Sequence, residues 1–325
     1  MELFDSYSKG LIVHHWDTDG ICSAGMLLSE LKGKEVDNIS PGIGNYYLTK
    51  GEIEIIKDRG YEFIAIVDVC IPKENILKLK NSVNSKIFIF DHHLQENIKE
   101  VEHMNPVSEG KSQESFPSTS WVLSQWVGVN LLAILGAVGD KEGWIKENEL
   151  IYPEIEKFMD AHSVDFKQLL RMVKLIDSSH KVMDKEGVES AVRFVTENRN
   201  SPEKILGHQP WHQNSKRIRT EIDRQMSNEI IEDGNVLLLN ILTPLNIIST
   251  ITRKLAWKNP QKMVVVVNRG FFWNRNQIYV RGIKAQRLIK IARERGYSAG
   301  GKRGVAGVVL PNTKTDDFLS IVKNI

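Results

Sequence analysis

The chain has few cysteines, and it lacks long apolar runs, internal repeats and low-complexity tracts. Its two cysteines, Cys22 and Cys70, cannot form a disulfide framework, and both lie in apolar segments, where we expect small core residues. No apolar run approaches the roughly 20 residues that a membrane-spanning helix needs, and the opening MELFDSYSKG lacks the apolar core of a secretory signal. These absences favour a globular protein of the reducing cytoplasm with no membrane partner.

The length of the chain and its charge distribution indicate two domains that differ in charge. A chain of 325 residues exceeds what most single hydrophobic cores support. The net charge is only +2, but residues 253–303 hold 14 lysines and arginines against one acid, Glu294, which leaves 29 basic and 40 acidic residues elsewhere. We therefore expect an acidic body and a basic C-terminal part.

The first half of the chain alternates strand-like and helix-like segments. Continuous apolar runs at 11–15, 63–70 and 86–93 predict buried strands, and apolar residues spaced three or four apart after Gly20 predict a helix. Buried strands separated by helices are typical of a parallel sheet covered on both faces, so the predicted fold class is α/β. The middle, about 150–232, looks helical, and the last part returns to mixed strands and helices.

Acids and histidines cluster where the predicted strands end. The stretch HHWDTDG follows the first strand, and FDHH closes the third. Taken alone, HHWDTDG is also compatible with an exposed turn, because aspartate and glycine are common turn residues. However, ligands of parallel sheets bind beyond the carboxyl ends of the strands, and these clusters share that edge. The residues concerned are His14, His15, Asp17, Asp19, Asp68, Asp91, His92 and His93, with Asp140 at the end of the apolar segment LLAILGAVGD.

Several carboxylates at one edge of a sheet predict a metal site. Like charges a few ångströms apart cannot all stay ionised without compensation, and divalent cations supply it. A mixture of carboxylate and imidazole ligands favours Mn²⁺, with Mg²⁺ or Co²⁺ as substitutes, and side chains from four segments suffice for two ions. A hydroxide activated by two ions suits the hydrolysis of phosphoesters.

Four motifs in this region, HHWDTDG, IVDVC, FDHH and GAVGD, resemble in order and approximate spacing motifs I to IV of the DHH phosphoesterase family. This family includes RecJ-like single-strand exonucleases, oligoribonucleases, cyclic dinucleotide phosphodiesterases and family II inorganic pyrophosphatases. The resemblance implies two ions that share one bridging carboxylate, Asp68. The first ion would be held by His15, Asp17 and Asp68, and the second by Asp19, Asp68, His92 and Asp140.

The resemblance also implies roles for neighbours of these ligands. Asp91 would orient His92, as metal-bound imidazoles generally require, and His93 would face the substrate phosphate or the leaving oxygen, so both are candidate catalytic residues. The first ligand stays open between His14 and His15, because its spacing from the first aspartate varies among family members and strand alternation lets only one of them point inward.

The sequence predicts a loop at 42–47 and the start of a helix at 117–121. GIGNYY (42–47) looks like a loop, and a lone GxG does not imply a nucleotide fold. PSTSW (117–121) lies where relatives have a Ser/Thr-rich helix start near the site, and its N–H groups are candidates for binding an anion.

The C-terminal part resembles the DHHA1 accessory domain of the same family. The glycine-rich GGGH motif of that domain matches AGGK here, so its histidine is missing. Arg281 in YVRGI matches an arginine that relatives direct at the substrate backbone, and aromatic residues among the basic ones are suited to stack on unpaired bases. The candidate substrate-binding residues are therefore Arg281, Gly300, Gly301, Lys302 and Arg303.

Together these patterns predict an α/β protein with two domains and a helical linker. The parallel-sheet DHH domain would span 1–190, the linker 191–232, and the smaller α/β DHHA1-like domain 233–325, with the active site in the cleft between the domains.

The predicted function is a Mn²⁺-dependent phosphodiesterase or exonuclease. It would hydrolyse single-stranded DNA or RNA, or short oligonucleotides, to nucleoside 5′-monophosphates, in the 3′-to-5′ direction by analogy with stand-alone relatives of this size. Two alternatives stay open: a phosphoesterase for cyclic dinucleotides or other small molecules, and a catalytically inactive scaffold that binds DNA replication or repair proteins. The first has little need of the basic segment, and the second usually loses metal ligands, whereas every ligand position is filled here.

Overall fold

The computed structural model describes residues 2–302 and 304–323 and gives the side chains of all of these except Lys302. The chain divides into two compact units: the first extends to His180 and includes Asp184–Gln213, and the second consists of Lys181–Met183 and Asn214–Ile325.

A five-stranded parallel sheet, in the order β2-β1-β3-β4-β5, forms the centre of the first unit. The strands are β1 (Lys9–His14), β2 (Glu35–Ile39), β3 (Phe63–Val67), β4 (Lys86–Phe90) and β5 (Glu102–Met104). The helices are α1 (Thr18–Glu30), α2 (Lys50–Arg59), α3 (Lys73–Ser82), α4 (Thr119–Val127), α5 (Leu131–Lys141), α6 (Tyr152–His162), α7 (Phe166–Ile176), α8 (Ser178–Lys181), α9 (Lys185–Glu197), α10 (Pro202–Leu206) and α11 (Gln209–Met226).

Alternate residues of each central strand enter two different cores. In β1, Ile12 joins the core that contains α1 and α5, while Leu11 and Val13 join the core on the opposite face with α2 and α3. Side chains of a strand point alternately to its two faces, and each fully buried aliphatic side chain contributes about 1.5–3 kcal/mol. The near-continuous apolar strands of the sequence are thus explained by a sheet that is covered on both sides, and the predicted parallel sheet is confirmed.

The second unit is built on a six-stranded mixed sheet in the order β10-β11-β9-β8-β7-β6, where only β7 and β8 pair in parallel. Its strands are β6 (Ile230–Asp233), β7 (Val236–Ile241), β8 (Met263–Asn268), β9 (Arg275–Arg281), β10 (Ser298–Lys302) and β11 (Val305–Pro311). Its helices are α12 (Ile248–Lys258), α13 (Ala285–Glu294) and α14 (Thr315–Lys323). The predicted α/β class, with a second and smaller sheet domain, is confirmed.

Residues 191–232, the expected linker, contain the end of α9, all of α10 and α11, and the start of β6. The boundary between the two units, after Gln213, falls inside α11. Pro210 lies in the first turn of that helix, where its missing N–H is tolerated.

The two cysteines differ in burial. Cys22 is fully buried, as expected, but Cys70 is only half-buried, and its thiol lies 3.4 Å from Gln95 Oε1 as a hydrogen-bond donor. Within the described ranges, no helix has the length and apolarity that crossing a membrane requires.

Candidate metal centre

The carboxyl ends of β1, β3 and β4 bring the three predicted clusters to one edge of the first sheet. The ladder continues just beyond the strands: the His15 N–H donates to Val67 O (3.3 Å), and the Asp68 N–H donates to Phe90 O (3.0 Å). Asp68 adopts a positive φ of 60°, which a short polar residue tolerates better than most others and which ends the strand sharply. Parallel pairing therefore places histidine and aspartate side chains beside one another.

All six predicted ligands, with His93, belong to three groups of potential donors. In each group the ligand atoms lie within 4.8 Å of one another. The groups are His15, Asp17 and Asp68; Asp19, His92 and Asp140; and Asp68, His92 and His93.

Asp68 belongs to two of these groups and directs one oxygen toward a histidine of each. Its Oδ2 is 3.9 Å from His15 Nδ1, and its Oδ1 is 3.6 Å from His92 Nε2. The Thr119 hydroxyl donates to Oδ1 at 2.9 Å. The carboxyl group is only 3% exposed, so its orientation is set by the protein rather than by water. Each oxygen of this carboxylate thus faces a different set of potential donors.

His92 provides the test of whether these residues fit a metal ion. Its Nε2 is buried and makes no hydrogen bond within the described part of the chain, although Asp140 Oδ2 is only 3.0 Å away. Two ligands at about 2.1 Å from an ion and at right angles to each other are about 3.0 Å apart. A buried ring nitrogen without a hydrogen bond is costly unless something else satisfies it. The donor set of oxygens and imidazoles fits a divalent cation.

Asp19 is held by the N-terminus of α4. Its Oδ2 accepts from the Thr119 N–H at 2.7 Å, and its Oδ1 accepts from the Ser120 N–H at 3.0 Å. Ser118 caps the same helix by accepting from the Trp121 N–H. The Ser/Thr-rich stretch thus binds an anion, as its sequence indicated, but the anion is a side chain of the site itself.

The absence of a side chain at Gly136 leaves room for the contact between Asp19 and the start of α4. A Cβ at that position would lie 2.0 Å from Ser120 Oγ and 2.2 Å from Asp19 Oδ1. Helix α5 therefore approaches the carboxylate more closely than any side chain at this position would permit. No pattern in the sequence indicated this contact.

The electrostatics show uncompensated negative charge. Burial, together with the Asp140 and Asp17 carboxylates, raises the pKa of Asp19. Burial and the carboxylates of Asp19, Asp17 and Asp140 raise the pKa of Asp68 well above its usual value. Burial disfavours the charged form of His92, but the Asp140 carboxylate outweighs that effect and raises its pKa. Positive charge at this site would remove the conflict.

The structure distinguishes the two neighbouring histidines. His14 is fully buried, its Nδ1 faces His15 O at 2.7 Å and its Nε2 faces Asn38 Nδ2 at 3.2 Å. Burial lowers the pKa of His14 to about 4. His15 Nδ1 instead lies 2.9 Å from Asp17 Oδ2. His15 is thus placed in the donor group, and His14 is a neutral core residue.

Asp91 contacts the ring of His93 rather than the ring of His92. Its Oδ1 faces His93 Nδ1 at 2.7 Å and also accepts from the backbone N–H groups of His92 and His93. Burial works against charge on His93, but Asp91 outweighs it and raises the pKa of His93 to about 9. The Gln95 side chain donates to the other oxygen, Oδ2, at 2.6 Å, a contact that the motif pattern did not indicate.

The predicted substrate-binding residues of the second unit that the structure describes lie in strands of its sheet. Arg281 is the last residue of the central strand β9 and is partly buried. Gly300 and Gly301 lie in the edge strand β10, opposite Gly307 and Ala306, rather than in an open loop. A Cβ on Gly301 would lie 2.1 Å from Val305 O. Lys302 ends β10, and Arg303 lies outside the described residues.

Comparison with known proteins gives a family match for part of the chain and a similarity of fold for nearly all of it. Residues 9–154 match the model of the DHH family, N-terminal domain. A search of curated proteins gave no significant match. The fold is similar to that of exonuclease RecJ bound to manganese, at 16% identity over 98% of this chain and 90% of that one, with a TM-score of 0.65.

Two further solved structures share the fold. CDC45 from Entamoeba histolytica is 9% identical over 99% of this chain and 97% of its own, with a TM-score of 0.55. PggH from Vibrio, a pGpG-specific phosphodiesterase, is 13% identical over 97% of this chain and 98% of its own, with a TM-score of 0.51. The matched domain contains the whole cluster of histidines and aspartates described above. Residues 9–154 of this chain thus match the DHH family, N-terminal domain, and the chain shares its fold with the three solved structures.

Proposed function

We propose that this protein is a metal-dependent phosphoesterase with two cation sites at the edge of its first sheet. The observation that carries the proposal is the position of Asp68, whose two oxygens face two separate groups of oxygen and nitrogen donors. His15 and Asp17 would complete one site, and three residues the other, namely Asp19, His92 and Asp140. Mn²⁺ suits this mixed donor set best, with Mg²⁺ or Co²⁺ as substitutes.

When bound, the two ions would supply charge neutralisation at phosphorus and a water of lowered pKa. The protein itself would contribute a hydrogen-bond donor to the substrate and the groups that position the ligands. Asp91 holds Nδ1 of His93, whose side chain is 46% exposed, so Nε2 is the ring nitrogen that would donate a hydrogen bond to the phosphate or leaving oxygen. Thr119 and the start of α4 would keep Asp68 and Asp19 in place without help from solvent.

We further propose single-stranded DNA or RNA, or short oligonucleotides, as the substrate, with nucleoside 5′-monophosphates as products and 3′-to-5′ polarity. The basic segment of the second unit supports this choice, because positive side chains follow phosphates. Arg281 and the β10 residues Gly300, Gly301 and Lys302, with Arg303, would bind the strand. The similarity of fold to the Mn²⁺-bound exonuclease RecJ is consistent with this substrate class.

The two cysteines form no disulfide, which fits a reducing compartment such as the cytoplasm.

End-labelled 5-mer and 20-mer oligonucleotides, incubated with Mn²⁺, test this proposal. We expect a ladder of shortened products, whose order gives the polarity, and no products in a chelator. Arg281→Ala should raise KM for the 20-mer more than for a small phosphodiester, whereas Lys314→Ala, an exposed residue outside the basic segment, should change neither. Absence of cleavage of every strand would contradict the nuclease assignment.

A second candidate is a phosphodiesterase for linear or cyclic dinucleotides. It draws support from the shared fold of the pGpG-specific enzyme. The same assay with pGpG, a cyclic dinucleotide and pyrophosphate separates the two, because a dinucleotide enzyme would show its highest kcat/KM on the shortest substrate. The fold of CDC45 also keeps open a scaffold role among replication or repair proteins, for which the filled ligand positions would be unnecessary.

A further inference from the structure

The loop between β2 and α2 carries two adjacent tyrosines beside the metal centre. The loop is attached at both ends. The Ser40 N–H donates to Glu189 Oε1 at 3.0 Å, and Leu48 exchanges two hydrogen bonds with the Asn75 side chain, at 2.9 and 2.8 Å. Leu48 is buried at 1% exposure. The tyrosines are therefore presented by a segment of defined position.

Tyr46 lies against the histidine of the first donor group. Its ring is stacked on that of His15, with centroids 5.7 Å apart and an interplanar angle of 26°. It also contacts Trp16, at a centroid distance of 5.1 Å. Trp16 is 4% exposed, whereas Tyr46 is 55% exposed. Tyr46 thus contacts the His15 and Trp16 rings while more than half of its surface stays exposed.

We propose that Tyr46 is a stacking platform for the nucleobase next to the phosphate that is hydrolysed, an inference that rests on the proposed function. The phosphate must reach the ions, one of which the group that includes His15 would hold, and the base is joined to the phosphate through a single sugar. A base of that nucleotide is therefore brought to the aromatic surface that borders His15. Stacking on a tyrosine face is tolerant of base identity, because every base has a π-face.

This role determines which substrates bind well. The ions that the donor groups would hold attract phosphate, and nothing in those groups distinguishes a nucleotide from another phosphodiester. The aromatic face of Tyr46, beside His15, adds affinity only for a substrate that has a base at this position. The protein should therefore prefer substrates with a base at the cleaved nucleotide over otherwise identical abasic ones.

The test compares Tyr46→Leu, Tyr46→Phe and Tyr47→Leu with the wild type. Tyr47 is the matched control, since it is the neighbouring tyrosine, is 47% exposed and, within the described residues, stacks on neither His15 nor Trp16. The substrates are a 5-mer oligonucleotide and the same 5-mer with abasic sites at both end nucleotides. Mn²⁺ binding is measured by calorimetry in parallel.

Tyr46→Leu should raise KM for the normal 5-mer about 5- to 100-fold and abolish the wild-type preference for it over the abasic 5-mer. Tyr46→Phe should keep KM within about twofold, and Tyr47→Leu should resemble the wild type. Equal increases of KM for both substrates, or weaker Mn²⁺ binding by Tyr46→Leu, would show that the ring only supports His15 and would overturn the inference. So would an unchanged KM. If the wild type cleaves no strand, the proposed function itself fails.

Discussion

The Thr119 N–H donates to Asp19 Oδ2 across 2.7 Å, and the hydroxyl of the same residue donates to Asp68 Oδ1 at 2.9 Å. One threonine at the first position of α4 therefore holds two carboxylates from different elements, one in the first turn of α1 and one directly after β3. The positive end of the helix dipole favours negative charge at this position. Asp19 and Asp68 are thus held in place by the start of a helix rather than by solvent.

Thr119→Val should weaken the metal site without unfolding the protein. The substitution keeps the N–H that binds Asp19 and the side-chain volume, but it removes the donor to Asp68. We expect a loss of about 10- to 100-fold in Mn²⁺ affinity or in kcat/KM, the usual effect of removing a group that orients a ligand. Calorimetric titration and phosphodiester hydrolysis measure it. Thr119→Ser, which keeps the hydroxyl, should stay close to the wild type; equal losses in both variants would argue against this role.

Asp68→Asn should abolish catalysis that Mn²⁺ supports. Asparagine accepts the positive φ of 60° at this position, so the backbone is preserved while the charge is lost. Hydrolysis should fall by about 10³-fold or more, because charge stabilisation by both ions depends on this carboxylate. Chelation should inactivate the wild type, and added Mn²⁺ should restore the wild type but not the variant. Substantial activity in the variant would exclude a bridging role.

Gly136→Ala should disturb the site from the α5 side. The new methyl group would lie 2.2 Å from Asp19 Oδ1, so either the carboxylate or the helix must move. We expect a loss of about 1–3 kcal/mol in the free energy of unfolding and weaker metal binding. Gly51→Ala is the control, because a Cβ at Gly51, which lies in α2, meets nothing within 4 Å. That variant should be neutral or slightly more stable. Thermal and denaturant unfolding distinguish the two.

The contribution of Asp68 and Asp19 to the stability of the metal-free protein should fall as the pH rises. Asp68 and Asp19 have pKa values above the ordinary 3.8, so the folded state binds more protons than the unfolded state in the range above that value. Their contribution to stability is complete below the unfolded pKa and is lost as the pH rises through the folded pKa. Melting temperatures in chelator and in Mn²⁺, taken from about pH 4 to pH 8, should diverge as the pH increases. Asp68→Asn in chelator should show a smaller decline; an equal decline would assign the effect to other groups.

The sequence by itself determined the sheet, the strand ends and the candidate ligands, because apolar continuity and clustered acids are local signals. It missed β2, whose sequence EVDNI is mostly polar, and the three-residue β5, since both lie at the edges of the sheet, where burial is weaker. Only the tertiary structure placed His15 rather than His14 beside Asp17 and turned Asp91 toward His93. It also brought Thr119 to Asp19 and Tyr46 to His15. These contacts join residues whose relation depends on packing and side-chain direction, which no pattern along one chain encodes.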